Sequence, residues 1–218
     1  MHLSRLMLSA RHRQVQSDLR NPYDLHRTLC FAWAEEGESL PAGERMLWRV
    51  DNEANESPVL LVQSVGAPDW GRLLLRHPGY LGEYRVTTLN DARLDALSQS
   101  GGRYRFRLRA NPTVTKREDE AGEARAQKPK RYGLYSAAEQ ARWLAGQGER
   151  GGFLPERFEI VQSGRVRARK GKANVTLSVA TFEGDLCVTD SARLRDTLSR
   201  GLGHGRAFGL GLLSLAPL

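Results

Sequence analysis

The stretch GGRYRFRLRANPTV, residues 101–114, alternates strictly between two kinds of side chain. Tyr104, Phe106 and Leu108 fall on one side of an extended chain, and arginines at positions 103, 105, 107 and 109 fall on the other. Successive side chains of a strand point to opposite faces of the sheet, so this pattern predicts a strand with one buried face. The arginine face has two interpretations, a solvated sheet surface or a platform for RNA.

The residues that follow this strand complete a βαββαβ order. SAAEQARWLAGQG (136–148) predicts a helix that begins at Ser136, where Glu139 completes a capping box. The remaining elements are two strands on either side of a basic turn, a helix and a last strand. They are predicted at RFEIVQSG (157–164), NVTLSVATFEG (174–184), DSARLRDTLSRG (190–201) and FGLGLLSL (208–215).

The first half shows the same order of elements. They are predicted at MHLSRLMLS (1–9), NPYDLHRTLCFAW (21–33), RMLWRVD (45–51), SPVLLVQS (57–64), PDWGRLL (68–74) and residues 80–88. The first helix follows a polar linker and begins with Asn21 before Pro22. The expected fold class is therefore α+β, with two tandem ferredoxin-like βαββαβ domains over residues 1–92 and 100–218.

The positive charge is concentrated in the second half. Residues 1–100 carry 11 Lys and Arg against 13 Asp and Glu, and residues 101–218 carry 22 against 12, so the net charges are −2 and +10. Such a basic half favours a polyanionic partner. Cys30 and Cys187 are isolated, so we expect reduced thiols, no metal site and no cofactor in a cytoplasmic protein. No apolar run has the length of a membrane span, so no membrane partner is expected.

The candidate catalytic residues lie on the first helix. Tyr23 and His26 are three positions apart and so share one helix face. A histidine can move a proton near neutral pH, and a tyrosine hydroxyl can orient a phosphate or stabilise a leaving oxygen. Together they fit metal-free RNA cleavage, in which a ribose 2′-OH attacks the adjacent phosphate. A structural role for His26 remains the other interpretation, and His204 is a second candidate.

Two basic segments are candidate RNA contacts. RVRARKGK (165–172) carries five Lys and Arg and no acid, and it is predicted to form an exposed hairpin tip. The segment 116–131 mixes both signs and resembles a mobile loop, whose cations could become ordered on a nucleic acid. Both segments could instead be solvated loops. The RNA-binding residues predicted here are Lys128, Lys130, Arg131, Arg165, Arg167, Arg169, Lys170 and Lys172, together with Arg27 on the first helix.

A glycine segment, GLGHGRAFGLGLL (201–213), follows the last predicted helix. It fits no dinucleotide fingerprint, because no acidic residue follows it and the spacing of its glycines differs. It also lacks the Gly-Lys-Ser/Thr of a P-loop. Glycines without a Cβ allow backbone N–H groups to approach an anion, so Gly201, Gly203, His204 and Arg206 are predicted to contact an RNA phosphate. A plain turn before a terminal strand is the alternative.

Five segments in one order carry a resemblance to a known family: NPYDLHRTL (21–29), MLWRV (46–50), VLLVQS (59–64) with PDW (68–70), RFRLRANPT (105–113) and GLGHGRAFGLGLLSL (201–215). The chain resembles, over essentially its whole length, the CasE family of the RAMP superfamily. Members are the CRISPR repeat-processing endoribonucleases of type I-E systems.

The resemblance implies two ferredoxin-like domains and metal-independent cleavage of precursor CRISPR RNA at the 3′ base of the repeat hairpin. The products would carry a 5′-hydroxyl and a 2′,3′-cyclic phosphate, and the enzyme would keep its CRISPR RNA (crRNA) within the Cascade complex with other subunits. By position, Tyr23 and His26 match the family's catalytic pair, and residues 165–172 match the segment that docks on the RNA stem. Some relatives have a lysine a few positions after the histidine, where this chain has Phe31 and Ala32. A cation from 165–172 is then expected to replace it.

Two other functions remain open on the sequence alone. One is a non-catalytic RNA-binding subunit that caps the crRNA hairpin within a complex. The other is a nucleotide-binding protein that uses the glycine segment.

Overall fold

The computed structural model describes residues 1–35, 38–51, 57–116 and 130–218. Its first half contains one four-stranded sheet with three helices. The strands are β1 (His2–Leu8), β2 (Met46–Asp51), β3 (Val59–Ser64) and β4 (Leu81–Thr88), and the helices are α1 (Arg13–Arg20), α2 (Pro22–Cys30) and α3 (Trp70–Arg76). The strand order is β2-β3-β1-β4, and every neighbouring pair is antiparallel.

The second half contains a second sheet with the same topology. A helix, α4 (Asp91–Ser98), precedes it. The remaining elements are β5 (Arg103–Ala110), β6 (Thr113–Lys116), β7 (Lys130–Gly133), α5 (Ala137–Gly151), β8 (Phe153–Lys170), β9 (Ala173–Val188), α6 (Ser191–Arg200) and β10 (Leu213–Pro217). The sheet order is β10-β5-β9-β8, while β6 and β7 form a separate two-stranded ribbon. In both sheets the first strand of the unit lies between its third and its fourth, so the predicted α+β fold of two ferredoxin-like units is confirmed.

Each sheet packs one face against its own helices. In the first sheet, Leu6, Trp48 and Leu60 are buried in one core with Leu25 and Leu29 of α2. In the second, Phe106 and Phe182 are buried in a core with Leu144 and Leu194 of the two helices. These apolar faces follow the predicted alternation, because every second side chain of a strand points to the helix side.

Polar contacts join the face of the first sheet that points away from its helices to the second unit. Arg49 of β2 is almost fully buried, and its Nη1 donates to the carbonyl of Arg107 on β5 at 3.0 Å. Gln63 of β3 donates its side-chain amide to the carbonyl of Leu198 on α6. The arginine face of β5 is therefore not a fully solvated surface.

Several of the predicted elements differ in the structure. The polar linker before α2 is the helix α1, because Val15 packs in the core and the buried Asp18 accepts a 2.7 Å hydrogen bond from the hydroxyl of Tyr80. The predicted strand 101–114 is interrupted after Ala110, before Pro112, and resumes as β6. The last strand starts at Leu213, since residues 206–208 form a 3₁₀ turn.

The other differences concern the two basic segments. The described ends of the predicted loop 116–131 are not a loop, because Thr115 and Lys116 of β6 pair with Arg131 and Lys130 of β7. Residues 165–170 are not a loop, because they continue β8 and pair with residues 173–178 of β9. The turn itself contains only Gly171 and Lys172, and Gly171 has a positive φ of 58°. The division into domains 1–92 and 100–218 stays a prediction. The segment between them forms most of α4, which is held to α6 by ion pairs from Arg195 to Asp91 and Asp95.

Candidate active site

The helix α2 carries the predicted catalytic pair on the side that faces away from the core. Leu25 and Leu29 are fully buried and anchor the helix, while Tyr23 and His26 are half-buried. The ring centroids of Tyr23 and His26 lie 6.3 Å apart with the planes tilted by 37°. The structure thus brings together the two residues predicted from their spacing.

The residue just before α2 contacts the basic hairpin as well as its own helix. Asn21 occupies the N-cap position, but its side chain makes no capping hydrogen bond. Its Nδ2 donates to the carbonyl of Arg169 at 3.0 Å, and its Oδ1 accepts from the N–H of Arg169 at 3.1 Å. The same Nδ2 lies 2.6 Å from Oδ2 of Asp24. The end of β8 is consequently held beside the first turn of α2, and sequence reasoning missed this function of Asn21.

This contact places Lys170 over the candidate catalytic pair. The Nζ of Lys170 lies 5.4 Å from the centroid of the Tyr23 ring, within the range of a cation–π contact. The positions where relatives are expected to carry a lysine are apolar: Ala32 is buried, and the Phe31 ring lies 4.3 Å from the guanidinium of Arg76. Lys170 is thus the cation from 165–172 that lies beside Tyr23 and His26.

His26 is neutral at physiological pH. Its burial, and secondly the positive charge of Lys170, lower its pKa from 6.5 to about 4. The Nδ1 is buried and has no hydrogen-bond partner in the described part of the chain. The Nε2 lies 4.0 Å from Sγ of Cys30, whose own pKa is raised to about 11 by burial. A neutral imidazole carries a lone pair on one ring nitrogen and is able to accept a proton there.

The glycine segment packs against both cores and reaches the catalytic helix. Gly201, Gly209 and Gly211 donate their N–H groups to the carbonyls of Thr197, Arg206 and Arg109, so these donors already bind protein oxygens. The ring of Phe208 lies 5.8 Å from that of Tyr23. Phe208 was not among the predicted site residues, although it lies inside the glycine segment.

The remaining predicted RNA contacts lie on exposed surfaces around this centre. Exposed side chains belong to Arg27, Lys130, Arg131, Arg165, Arg167, Arg169, Lys172, His204 and Arg206. Arg165 stacks on Tyr135 at 4.8 Å, and Arg131 is close enough to His204 to contribute to lowering its pKa, after the effect of burial. Gly203 has a positive φ of 73° and lies beside Trp143. Lys128 lies outside the described residues.

Two further features concern metals and membranes. Among residues 1–35, 38–51, 57–116 and 130–218, no three His, Cys, Asp or Glu side chains are grouped to hold a metal ion. None of the described helices is long and apolar enough to cross a membrane.

The protein consists of two ferredoxin-like units, and one of them carries a histidine–tyrosine pair beside a basic hairpin of the other. The model of the CRISPR associated protein family matches residues 1–217, and the chain belongs to this family. The assignment to the CasE family made from the sequence is therefore confirmed.

Characterised relatives agree over long stretches. The chain is 38% identical over 233 residues, covering 100% of both proteins, to the CRISPR-associated endoribonuclease Cse3 of Thermus thermophilus. It is 33% identical over 138 residues to the CRISPR system Cascade subunit CasE of Escherichia coli, covering 61% of this chain and 67% of that protein. A structure of the CRISPR endoribonuclease Cse3 bound to 19 nt RNA superposes with a TM-score of 0.81, 37% identity and full coverage of both chains.

Proposed function

We propose that this chain is a metal-independent endoribonuclease that cleaves precursor CRISPR RNA at the 3′ base of the repeat hairpin. It leaves a 5′-hydroxyl and a 2′,3′-cyclic phosphate, and it then keeps the crRNA as a subunit of the Cascade complex. The observation that carries this proposal is a neutral His26 beside Tyr23, with Lys170 of the basic hairpin over the tyrosine ring. The relatives' names as endoribonuclease and Cascade subunit support it. We place the reaction in the cytoplasm, where the transcript is made.

His26 acts as the base in this mechanism. It takes the proton of the 2′-OH, and the 2′-oxygen then attacks the adjacent phosphorus. Because its pKa is about 4, the imidazole of His26 is unprotonated across the physiological range and has a lone pair for the proton, as a base requires. The imidazolium afterwards returns its proton to water.

Tyr23 and Lys170 act on the phosphate and the leaving group. The bond from phosphorus to the 5′-oxygen breaks, and this oxygen takes the hydroxyl proton of Tyr23, which regains one from water. The ammonium group of Lys170 stabilises the negative charge that develops on the phosphorane oxygens. The phosphodiester already carries one negative charge and a second develops in the transition state, so the interaction with Lys170 strengthens there and lowers the barrier.

The hairpin β8–β9 positions the RNA. Its arginines at positions 165, 167 and 169 are exposed along one strand, where each can neutralise a phosphate of the stem. Such contacts fix the register of the RNA on the protein and add to the salt dependence of binding.

The test is cleavage of a labelled type I-E repeat hairpin in EDTA by the wild type, His26→Ala and His2→Ala. We expect cleavage by the wild type and by His2→Ala, which removes a histidine of β1, and binding without cleavage by His26→Ala. A hairpin with a 2′-deoxy sugar at the scissile position should bind and stay intact. Tight binding without cleavage by every protein would leave a non-catalytic subunit that caps the crRNA hairpin.

A further inference from the structure

A cleft between α1, α2 and β2 of the first unit and the second sheet contains arginines of β2 and β5 that the cleavage mechanism does not use. Its volume is about 810 Å³, within the range of ligand-binding clefts. Pro22 of α2 and Phe208 of the glycine segment line it, and both adjoin Tyr23 in sequence or in space. The cleft therefore extends from the candidate active site into the space between the sheets.

Both carboxylates on the sheet faces of this cleft are already paired. Asp51 accepts from Nε and Nη2 of Arg49 at 2.8 and 3.1 Å, and Nη1 of Arg107 lies 3.4 Å from Asp51 Oδ1. Glu183 lies 2.9 Å from Nε of Arg107. The negative charges of Asp51 and Glu183 thus compensate the positive charges of Arg49 and Arg107.

Arg109 of the same cleft forms no ion pair among the residues that the structure describes. Its Nε is buried and has no hydrogen-bond partner within the part of the chain that the structure describes. Burial lowers its pKa, as does repulsion by Arg49 and Arg107, while Asp51 acts in the opposite direction. A half-buried guanidinium among other arginines is unfavourable unless an anion joins it. The geometry of the guanidinium suits an oxyanion, either a phosphodiester or a carboxylate.

The neighbouring cations favour a polyanion over a single carboxylate. Arg20 of α1 also lines the cleft, and it is exposed without an ion-pair partner among the described residues. Arg167 of β8, which the proposed function assigns to the RNA stem, lines the same cleft. Five arginines, at positions 20, 49, 107, 109 and 167, and three carboxylates, those of Asp18, Asp51 and Glu183, line the cleft, so its lining carries a net charge of +2. A chain of phosphates satisfies several such charges at once, which one carboxylate cannot do.

We propose that this cleft binds a single-stranded segment of the RNA that continues from the cleaved hairpin, with one phosphodiester against Arg109. The inference rests on the proposed function, because it assigns a second binding region for the same substrate. The bases of that segment would lie against apolar side chains of the cleft, such as Val161 and Val166.

The test compares three RNAs: the repeat hairpin alone, the hairpin with a 5′ single-stranded extension and the hairpin with a 3′ extension. For the wild type we expect one extension to tighten binding about tenfold, and Arg109→Gln to abolish this gain. The slope of log affinity against log salt for that RNA should fall by about 0.7, as for one phosphate of a single strand. The matched control is Arg105→Gln, since Arg105 lies on the same face of β5, is exposed and does not line this cleft.

A second measurement needs no protein variant. Neutral methylphosphonate linkages, placed one at a time along the extension, should weaken binding to the wild type mainly at one position. Equal affinity of the wild type for all three RNAs would overturn the proposal. An acidic side chain of a protein partner would then be the expected ligand of the cleft. Equal affinity of Arg109→Gln and wild type for every RNA would also overturn it. Cleavage of the hairpin alone by the wild type tests the proposed function separately.

Discussion

The side-chain amide of Asn21 is joined to the backbone of Arg169 by two hydrogen bonds, although 148 positions separate the two residues in the chain. One bond is donated by Nδ2 to the Arg169 carbonyl, and the other is accepted by Oδ1 from the Arg169 N–H. This pair of bonds resembles one rung of a β-ladder. It fixes the end of a long hairpin against the helix that carries Tyr23 and His26, and it sets the position of the next residue, Lys170.

Replacing Asn21 by alanine should therefore reduce catalysis more than binding. Both bonds to Arg169 are lost, so Lys170 is no longer held over Tyr23. We expect the single-turnover cleavage rate to fall by about ten- to a hundredfold, the range for misplaced catalytic groups. The affinity for the hairpin should change by less than about threefold, because other arginines of the hairpin still neutralise phosphates. The measurement is single-turnover cleavage beside filter binding.

The matched control for this variant is Asn90→Ala. Asn90 caps α4 by accepting from the N–H of Arg93 and touches neither hairpin strand. It should lose about 1 kcal/mol of stability, as other N-caps do, and keep the wild-type cleavage rate. Equal losses of rate in both variants would show that Asn21 acts only through stability.

Replacing Lys170 by methionine should change the pH dependence of cleavage as well as its rate. Lys170 helps to lower the pKa of His26, after the larger effect of burial. Without this charge the pKa of His26 rises, so the base is protonated at a higher pH. The acid limb of the pH–rate profile should move upward from about pH 4, while the plateau falls by about a hundredfold, as when one group that stabilises the developing charge is removed.

Two substitutions separate charge from position in this experiment. Lys170→Arg keeps a positive charge and should leave the acid limb near its wild-type position. Lys172→Met removes a charge from the adjacent turn and should alter the salt dependence of binding but not the profile. An acid limb that stays in place in Lys170→Met would contradict the proposed influence of Lys170 on His26.

The sequence predicted the fold more completely than the contacts within the site, because the signals for the fold are local. Alternation in β5 and the capping box of α5 are local signals, since each depends on neighbours a few positions apart. The pair of Asn21 and Arg169, like the uncompensated charge of Arg109, depends on contacts between distant parts of the chain. The helix α1 was missed because its polar Asp18 is buried against Tyr80, which lies 62 positions away in sequence.

The depressed pKa of His26 also predicts loss of stability in acid. Below its ordinary pKa of 6.5 the unfolded chain binds a proton at this histidine, whereas the folded protein binds it only near pH 4. The unfolded state therefore holds more protons between these values, and stability falls as the pH decreases. We expect His26 to account for a loss of about 1–2 kcal/mol between pH 6.5 and 4.5, reduced from the full linkage value because the side chain is partly exposed.

Urea unfolding at a series of pH values measures this contribution. His26→Gln cannot take up the proton, so its unfolding free energy should decline less steeply over the same interval. Parallel curves for the two proteins would mean that His26 titrates alike in the folded and unfolded states.

Replacing a glycine of the glycine segment by alanine should cost stability in two ways, through backbone strain and through a steric clash, and a control variant separates the two. Gly209 has a φ of +73°, and a Cβ there would lie 2.6 Å from the buried ring of Trp48. Gly209→Ala should lower the free energy of unfolding by about 2–4 kcal/mol, from the strained backbone and from overpacking of the core together. Because Gly209 follows Phe208, whose ring lies beside Tyr23, the cleavage rate should also fall.

Gly43→Ala isolates the backbone cost, since Gly43 has a similar φ of +83° but a Cβ there would meet no described atom within 4 Å. It should lose about 1 kcal/mol, the cost of forcing an ordinary residue into the left-handed region, and keep full activity. The difference between the two variants in urea unfolding then measures the clash with Trp48. If both variants lose the same amount, the glycine segment moves away from Trp48 at little cost, and its close packing on the first sheet does not hold Phe208 against Tyr23.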